Sequence, residues 1–223
     1  MPLHKITPRV WLFKLAILAA ANPLSAQHLQ IDLFQLSQTG GLVVQNRQCA
    51  PLQEANQKGI RVSEQGDDGV VWINGIDFAN GIVELDIRGK DVLQQSFVGV
   101  ALHGLSRDSL EVVYLRPFNF RSTDSTRRKH AVQYACHPNY PWDKLRQQFP
   151  GKYESQVDPP PDPNQWFHVK ILLQHPHVTV YVNHSETPCL VVNELPWTTH
   201  GKIGLWVGNN SGGDFANLSI TSQ

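Results

Sequence analysis

A chain of 223 residues, 41% of them hydrophobic, is long enough to bury one sizeable core. Its 19 basic and 19 acidic side chains cancel, which excludes a general attraction to nucleic acid or to anionic lipid. Three cysteines, Cys49, Cys136 and Cys189, are too few for a disulfide framework; at most one bridge can form, and the sequence leaves the pair open.

The chain begins with Lys5 and Arg9, followed by an apolar run from Trp11 to Ala21 broken only by Lys14, and then small residues ending at Ala26. A basic start, a hydrophobic centre of roughly 7–15 residues and a small-residue cut site predict a cleavable export signal over residues 1–26. The mature protein, residues 27–223, is then expected in the periplasm or outside the cell as a single domain. The apolar run falls short of the roughly 20 residues that cross a bilayer, and no later stretch is long enough. No cysteine stands at the cut site to carry a lipid. Cleavage removes three basic residues and no acid, moving the net charge to about −3.

From residue 27 onward no long amphipathic helix is evident. Short β-branched and aromatic runs recur instead, separated by Gly, Asn, Asp and Pro. In chain order they are GVVWING (69–75), GIVELDIRG (81–89), FVGVALHG (97–104), LEVVYLRPF (110–118), AVQYAC (131–136), WFHVKILLQ (166–174), VTVYVN (178–183), CLVVNEL (189–195), KIGLWVG (202–208) and DFANLSIT (214–221). Many short strands with turn signals between them predict an all-β, two-sheet antiparallel sandwich or barrel. Pro176 marks a hairpin between 166–174 and 178–183, and the flanking His175 and His177 read as a solvated turn rather than metal ligands.

Two connections are longer than compact domains ordinarily use. Residues 119–130 carry Arg127, Arg128 and Lys129, expected as exposed charges in a solvated loop. Residues 137–164 hold Tyr140, Trp142, Phe149 and Tyr153, more aromatics than a disordered linker carries. This segment is expected to be an ordered flap, with one or two helical turns in WDKLRQQF and a stiff spacer in DPPPDP.

The stretch EVVYLRPFNF (111–120) raises the functional question. Alternation puts Val112, Tyr114, Arg116 and Phe118 on one face and Glu111, Val113 and Leu115 on the other, and Pro117 ends the strand. Arg116 in a row of aromatic residues is either a cation snorkelling over a core or a charged tip in an aromatic groove.

The series GIVELDIRG, FVGVALHG, LEVVYLRPF, NQWFHVKILLQ, VTVYVN and GKIGLWVGNNSGGDFANLSI resembles the concanavalin-A-like lectin/glucanase superfamily. The likeness is nearest to laminin-G-like jelly rolls and to secreted 3-keto-disaccharide hydrolase domains, and it runs over residues 66–221. The resemblance implies a jelly roll whose concave sheet binds or cleaves carbohydrate. Two departures limit it. The glucanase motif E-x-D-x-x-E is half present, as Glu84 and Asp86, with Gly89 in place of the second glutamate that a retaining mechanism needs. The segment N-S-G-I-x-x-R expected of the hydrolase domains is replaced by SFVGVALHG.

The candidate ligand-binding residues are therefore Tyr114, Arg116, Gln133, Tyr134, Trp142 and Tyr153: rings to stack on a sugar, and planar groups to bond hydroxyls. Catalytic candidates are His103, His137 and Glu154, with Asp143 as a further acid; none has a partner at fixed spacing. No cofactor or metal is expected. Asp67, Asp68 and Asp214 are the calcium candidates, and acids in turns have a simpler explanation as turn formers. The expected partner is a carbohydrate or glycoconjugate. The alternatives are a hydrolase of 3-keto glycosides working in the same groove, and a structural or protein-binding module.

Overall fold

The computed structural model describes residue 1, residues 27–195 and residues 198–222. The predicted export signal, residues 1–26, lies outside the described residues except for residue 1. The elements are β1 (Gln27–Ile31), α1 (Leu33–Thr39), β2 (Leu42–Gln45), β3 (Cys49–Gln53), β4 (Lys58–Val62), β5 (Gly69–Phe78), β6 (Gly81–Arg88), β7 (Val98–Ser106) and β8 (Ser109–Leu115). They continue as α2 (Pro117–Phe120), α3 (Ser125–Arg128), β9 (Val132–His137), α4 (Trp142–Gln148), β10 (Glu154–Ser155), β11 (Phe167–Gln174), β12 (His177–Val182), β13 (Leu190–Asn193), β14 (Gly201–Val207) and β15 (Gly213–Ser222).

These strands make two antiparallel sheets packed as a jelly-roll sandwich. The eight-stranded sheet runs β13-β12-β11-β6-β15-β4-β3, with β1 also paired to β15; the seven-stranded sheet runs β10-β9-β8-β7-β14-β5-β2. Each predicted run from GVVWING onward is a strand. Strands β1–β4 and helix α1, over residues 27–62, were not expected. LVVQ, CAPLQ and KGIRV are too short and too mixed to announce themselves, and they form by pairing with β5, β15 and one another.

The two sheets differ in how their outer faces are treated. In β6 (GIVELDIR) Val83, Leu85 and Ile87 are fully buried while Glu84, Asp86 and Arg88 are half exposed. That is the alternation of an antiparallel strand with one wet side. In β8 (SLEVVYL) every residue after Ser109 is buried, so the outer face of the seven-stranded sheet is also covered. The cover comes from the two long connections. The 137–164 segment is ordered: α4 carries buried Leu145, β10 pairs with β9, and Tyr153 packs on Tyr134 and Phe149 with ring centroids 5.8 Å apart in each pair.

The 119–130 connection is not simply solvated. The strand stops at Leu115 because Pro117 starts the short helix α2, where a missing N–H does no harm. Arg127 and Arg128 are half-buried struts: Arg127 Nη2 donates to the Phe118 carbonyl at 2.9 Å, and Arg128 Nη1 to that of Ser122 at 2.7 Å.

Close strand packing requires glycine at one point under this cover. Gly99 pairs with Tyr114 across β7 and β8, and a Cβ there would run into the Val113 carbonyl oxygen and come within 2.5 Å of the Tyr114 Cα. Gly99→Ala is expected to lower stability by about 1–3 kcal/mol in urea titration, since backbone rather than a mobile side chain must move. A neutral outcome would show that β7 and β8 can part locally.

Candidate ligand groove and a buried acid–base cluster

A cavity of about 710 Å³ opens on the outer face of the seven-stranded sheet. Such volumes are typical of small-molecule sites, roughly 300–1,000 Å³. Its floor is Tyr114 from β8 and Trp206 from β14, rings 4.9 Å apart; Phe97 and Phe118 stand beside them, packed edge to face at 5.3 Å. Pro141, Trp142 and Arg146 come from the flap, Asn119, Arg127 and His130 from the other connection, and Asp68, Asn209 and Asn210 from turns at the opposite end. Trp142 is the most open of the rings, 45% exposed, with the Arg146 guanidinium 4.8 Å from its centroid.

Arg116 is 5% exposed and does not snorkel to bulk water. Its Nη1 donates to the His130 carbonyl at 2.8 Å; its Nη2 donates to the Tyr114 hydroxyl at 2.8 Å and to Gln133 Oε1 at 3.2 Å. Gln133 in turn donates to the Tyr134 and Tyr153 carbonyls, so Arg116 is anchored through the flap's own backbone. Its charge centre also lies 4.9 Å from the Tyr114 ring and 5.8 Å from that of Phe97. Burial pushes the Tyr114 hydroxyl up to about 12.

Glu154 is placed behind Arg146, not in the cavity lining. It accepts from Arg146 at 2.9 and 2.6 Å, and this pairing outweighs its burial and holds the carboxyl below its usual range. His130 Nδ1 lies 2.8 Å from Glu154 Oε2 but is not aligned for a hydrogen bond. Burial, helped by Arg146, keeps His130 below the usual imidazole range, and burial does the same for His137 against the pull of Asp68.

The remaining candidates lie elsewhere. Strand register decides between the two residues of β9: Gln133 faces Tyr114 and supports Arg116 from beneath, buried and outside the cavity lining, whereas Tyr134 faces Val113 and points between the sheets. Tyr153 is buried on Tyr134 and serves as the flap's anchor. His103 has left-handed backbone, φ 49°, at the irregularity of β7 between Leu102 and Ser106. That turn carries it from the groove-side parity into the interior, where it is 1% exposed.

There His103 joins a cluster that the sequence did not announce. Its Nδ1 is 2.9 Å from Glu111 Oε1 and 3.6 Å from Glu194 Oε1, and its Nε2 is 2.9 Å from the Ala79 carbonyl oxygen. With acceptors at both nitrogens the ring is best satisfied as an imidazolium. Tyr134 donates its hydroxyl to Glu111 Oε2 at 2.6 Å, and His175 meets Glu194 Oε2 at 2.7 Å. Burial opposes the His103 charge, but the hydrogen bond and charge of Glu111 prevail and raise its pKa; burial and then Glu111 raise that of Glu194. Among the described residues this is the one group of three ligand-type side chains, with donor atoms within 4.8 Å of one another. Its 2.9 Å contact is a hydrogen-bond length, shorter than the roughly 3.3 Å that bonds of about 2.0–2.1 Å to a shared tetrahedral zinc would set. As packed, the cluster is joined by hydrogen bonds.

The calcium candidates do not converge. Asp214 is clamped by Arg61 and Arg88 at 2.7 and 2.5 Å, Asp68 lines the groove, and the Asp67 amide donates to Asn209. Glu84 and Asp86 share the outer face of the opposite sheet, where Asp86 bonds His168 at 2.9 Å, away from the groove. Trp206, His130 and Arg146 also line the groove and were not singled out from sequence, while Asp68 was read as a calcium candidate and Arg127 as a solvated charge. Only Trp206 had a legible signal, its outward parity beside inward Leu205.

A family model described as a 3-keto-alpha-glucoside-1,2-lyase-like domain matches residues 45–221. The chain belongs to that family. The lyase-like domain therefore begins earlier than residue 66 and takes in strand β4 and the edge strand β3. No curated protein matches it. Among solved structures it is similar to the carbohydrate-binding module CBM66 of Bacillus subtilis, at 14% identity and TM-score 0.59, covering 81% of this chain and 95% of that one. A Bacillus subtilis protein of unknown function with a galectin-like fold gives 12% and 0.56, covering 89% and 98%. The exoplasmic domain of VIP36, in a form bound to Ca²⁺ and Man3GlcNAc, gives 9% and 0.53, covering 83% and 84%. At these identities the likeness establishes the jelly-roll fold.

Proposed function

We propose that this chain is an exported carbohydrate- or glycoconjugate-binding jelly roll whose ligand lies in the groove over Tyr114 and Trp206. The observation that carries the reading is a sheet face buried by its own long connections, yet leaving a cavity lined by rings and by a guanidinium held by three hydrogen bonds. Aromatic faces suit the C–H surface of a sugar, and fixed planar donors suit its hydroxyls. Family membership and the sugar-binding proteins among the fold's relatives support it, as does the leader-like layout of residues 1–26. No helix among the described residues is long and apolar enough to cross a membrane.

The test is binding of the mature chain to a panel of glycans. Trp142→Ala removes an exposed ring, so unfolding should stay near wild type while affinity falls about tenfold, the upper end of what one stacked ring contributes. Unchanged affinity would remove the flap from the site.

A second reading, catalysis on 3-keto glycosides, is favoured by one observation: His137 lines the groove with its imidazole held toward the neutral form. In a 3-keto glycoside the C2 proton is acidified by the ketone. A neutral imidazole could take that proton as the C1–O bond breaks, its electron pair leaving on the departing oxygen and a C1=C2 double bond forming. Turnover of a 3-keto glycoside that disappears in His137→Ala would establish it; binding without turnover would leave the lectin reading.

A further inference from the structure

Three guanidiniums line the groove, and they are not alike. Arg146 is matched by Glu154, whose carboxylate it holds at 2.6 Å. Neither Arg116 nor Arg127 forms a direct ion pair among the described residues, although the charge of Arg116 is felt by Glu154: the first bonds only a carbonyl, a phenol and an amide, the second only the Phe118 carbonyl and Asn119 Oδ1. They are joined through one amide, because Asn119 accepts from Arg127 Nε at 3.2 Å and donates to the same His130 carbonyl that Arg116 holds. Of five N–H groups on each guanidinium, Arg116 has committed three and Arg127 two. A buried cation without a counter-charge is costly and is ordinarily paired. Asp68, the acid lining the same cavity, accepts from the Asn209 amide and pairs with neither arginine, and burial pushes its carboxyl toward the neutral form.

We propose that the groove selects an anionic saccharide, with a carboxylate or sulfate ester of one sugar unit received between Arg116 and Arg127 while its ring lies on Tyr114 and Trp206. The inference rests on the binding reading above and names the class of ligand. Planar forks that carry spare donors match the oxygens of either anion, and they do so in a niche where little water competes. The neutral acceptors already on both arginines fix their position without cancelling their charge. A site for neutral sugars would have no need of two unmatched guanidiniums.

The experiment is calorimetric titration of the mature chain with three probes of equal length: an oligogalacturonate, a sulfated galactan oligosaccharide and a neutral glucan oligosaccharide. Binding of either acidic probe at least tenfold tighter than the neutral one, and weakened by added salt, is the expected result; which acidic probe wins identifies the anion. Arg127→Gln, at a half-buried site where folding should survive, is expected to reduce acidic binding about tenfold and to narrow the ratio of acidic to neutral binding. Equal or tighter binding of the neutral glucan would overturn the inference while leaving the binding reading intact. Absence of binding to all three would overturn both. An acidic preference undiminished in Arg127→Gln would overturn the assignment to this pair.

Discussion

Replacing Glu111 with alanine is expected to lower the unfolding free energy by about 3 kcal/mol, a fall in Tm of roughly 6–12 °C for a chain of this size. The side chain is 1% exposed and accepts from both His103 and Tyr134, so its loss orphans an imidazole N–H and a phenol together. Removing one member of a buried ion pair ordinarily costs about 3–5 kcal/mol. The lower end applies here because Glu194, 3.6 Å from His103 Nδ1, can take up part of the interaction. The pH dependence follows from the raised pKa of His103. A histidine bound more tightly to its proton when folded contributes its stability below about pH 6.5 and loses it as pH rises through the folded value. The gap between wild type and Glu111→Ala should therefore be widest below about pH 6.5 and narrow as pH rises through the raised folded value. The difference between the two proteins is the informative quantity, since His130 and His137 shift the opposite way and are common to both. Urea titrations at several pH values would measure it. A loss under about 1 kcal/mol, or a gap that does not change with pH, would mean that His103 is uncharged in the folded protein.

Arg116→Met is expected to separate binding from folding more sharply than any other substitution in the groove. Affinity for the ligand should fall about 100-fold, as when one side of a desolvated charge contact is cut away. Stability should move far less, within about 4 °C in Tm. The substitution leaves Gln133 Oε1 and the Tyr114 hydroxyl short of a donor, at about 1–2 kcal/mol each. It also relieves the burial of a cation that has no direct ion pair, which offsets part of that loss. The methionine stem can still fill the space beside Phe97 and Tyr114. Differential scanning calorimetry beside glycan titration gives both numbers. A Tm fall of 10 °C or more would make Arg116 a structural strut of the flap, and the groove would lose its main polar anchor.

The strands after residue 69 were readable because alternation is a local property. Val83, Leu85 and Ile87 must face one way on any extended GIVELDIR, and so must Tyr114 and Arg116 on EVVYLR. The same logic showed 137–164 to be too long and too aromatic for an ordinary turn. It failed for residues 27–62, where the strands exist by virtue of their partners rather than their composition. It also failed for Arg127 and Arg128, which look like a solvated charge run yet have backbone carbonyls to bind.

By itself, then, the sequence determined an antiparallel all-β sandwich and the alternation of its long strands, which puts Tyr114 and Arg116 on one face beside a long, aromatic connection. The tertiary structure decided what those faces meet. Cross-strand register sent Gln133 to Arg116 and Tyr134 to Glu111, although the two are neighbours in the chain. A left-handed residue in β7 moved His103 from the groove into the core, and the chain's return after β13 brought Glu194 to meet it. The physical reason is the range of the forces concerned. Side-chain parity is set within two residues, whereas register, bulges and charge pairing are settled only when segments tens of residues apart close on one another.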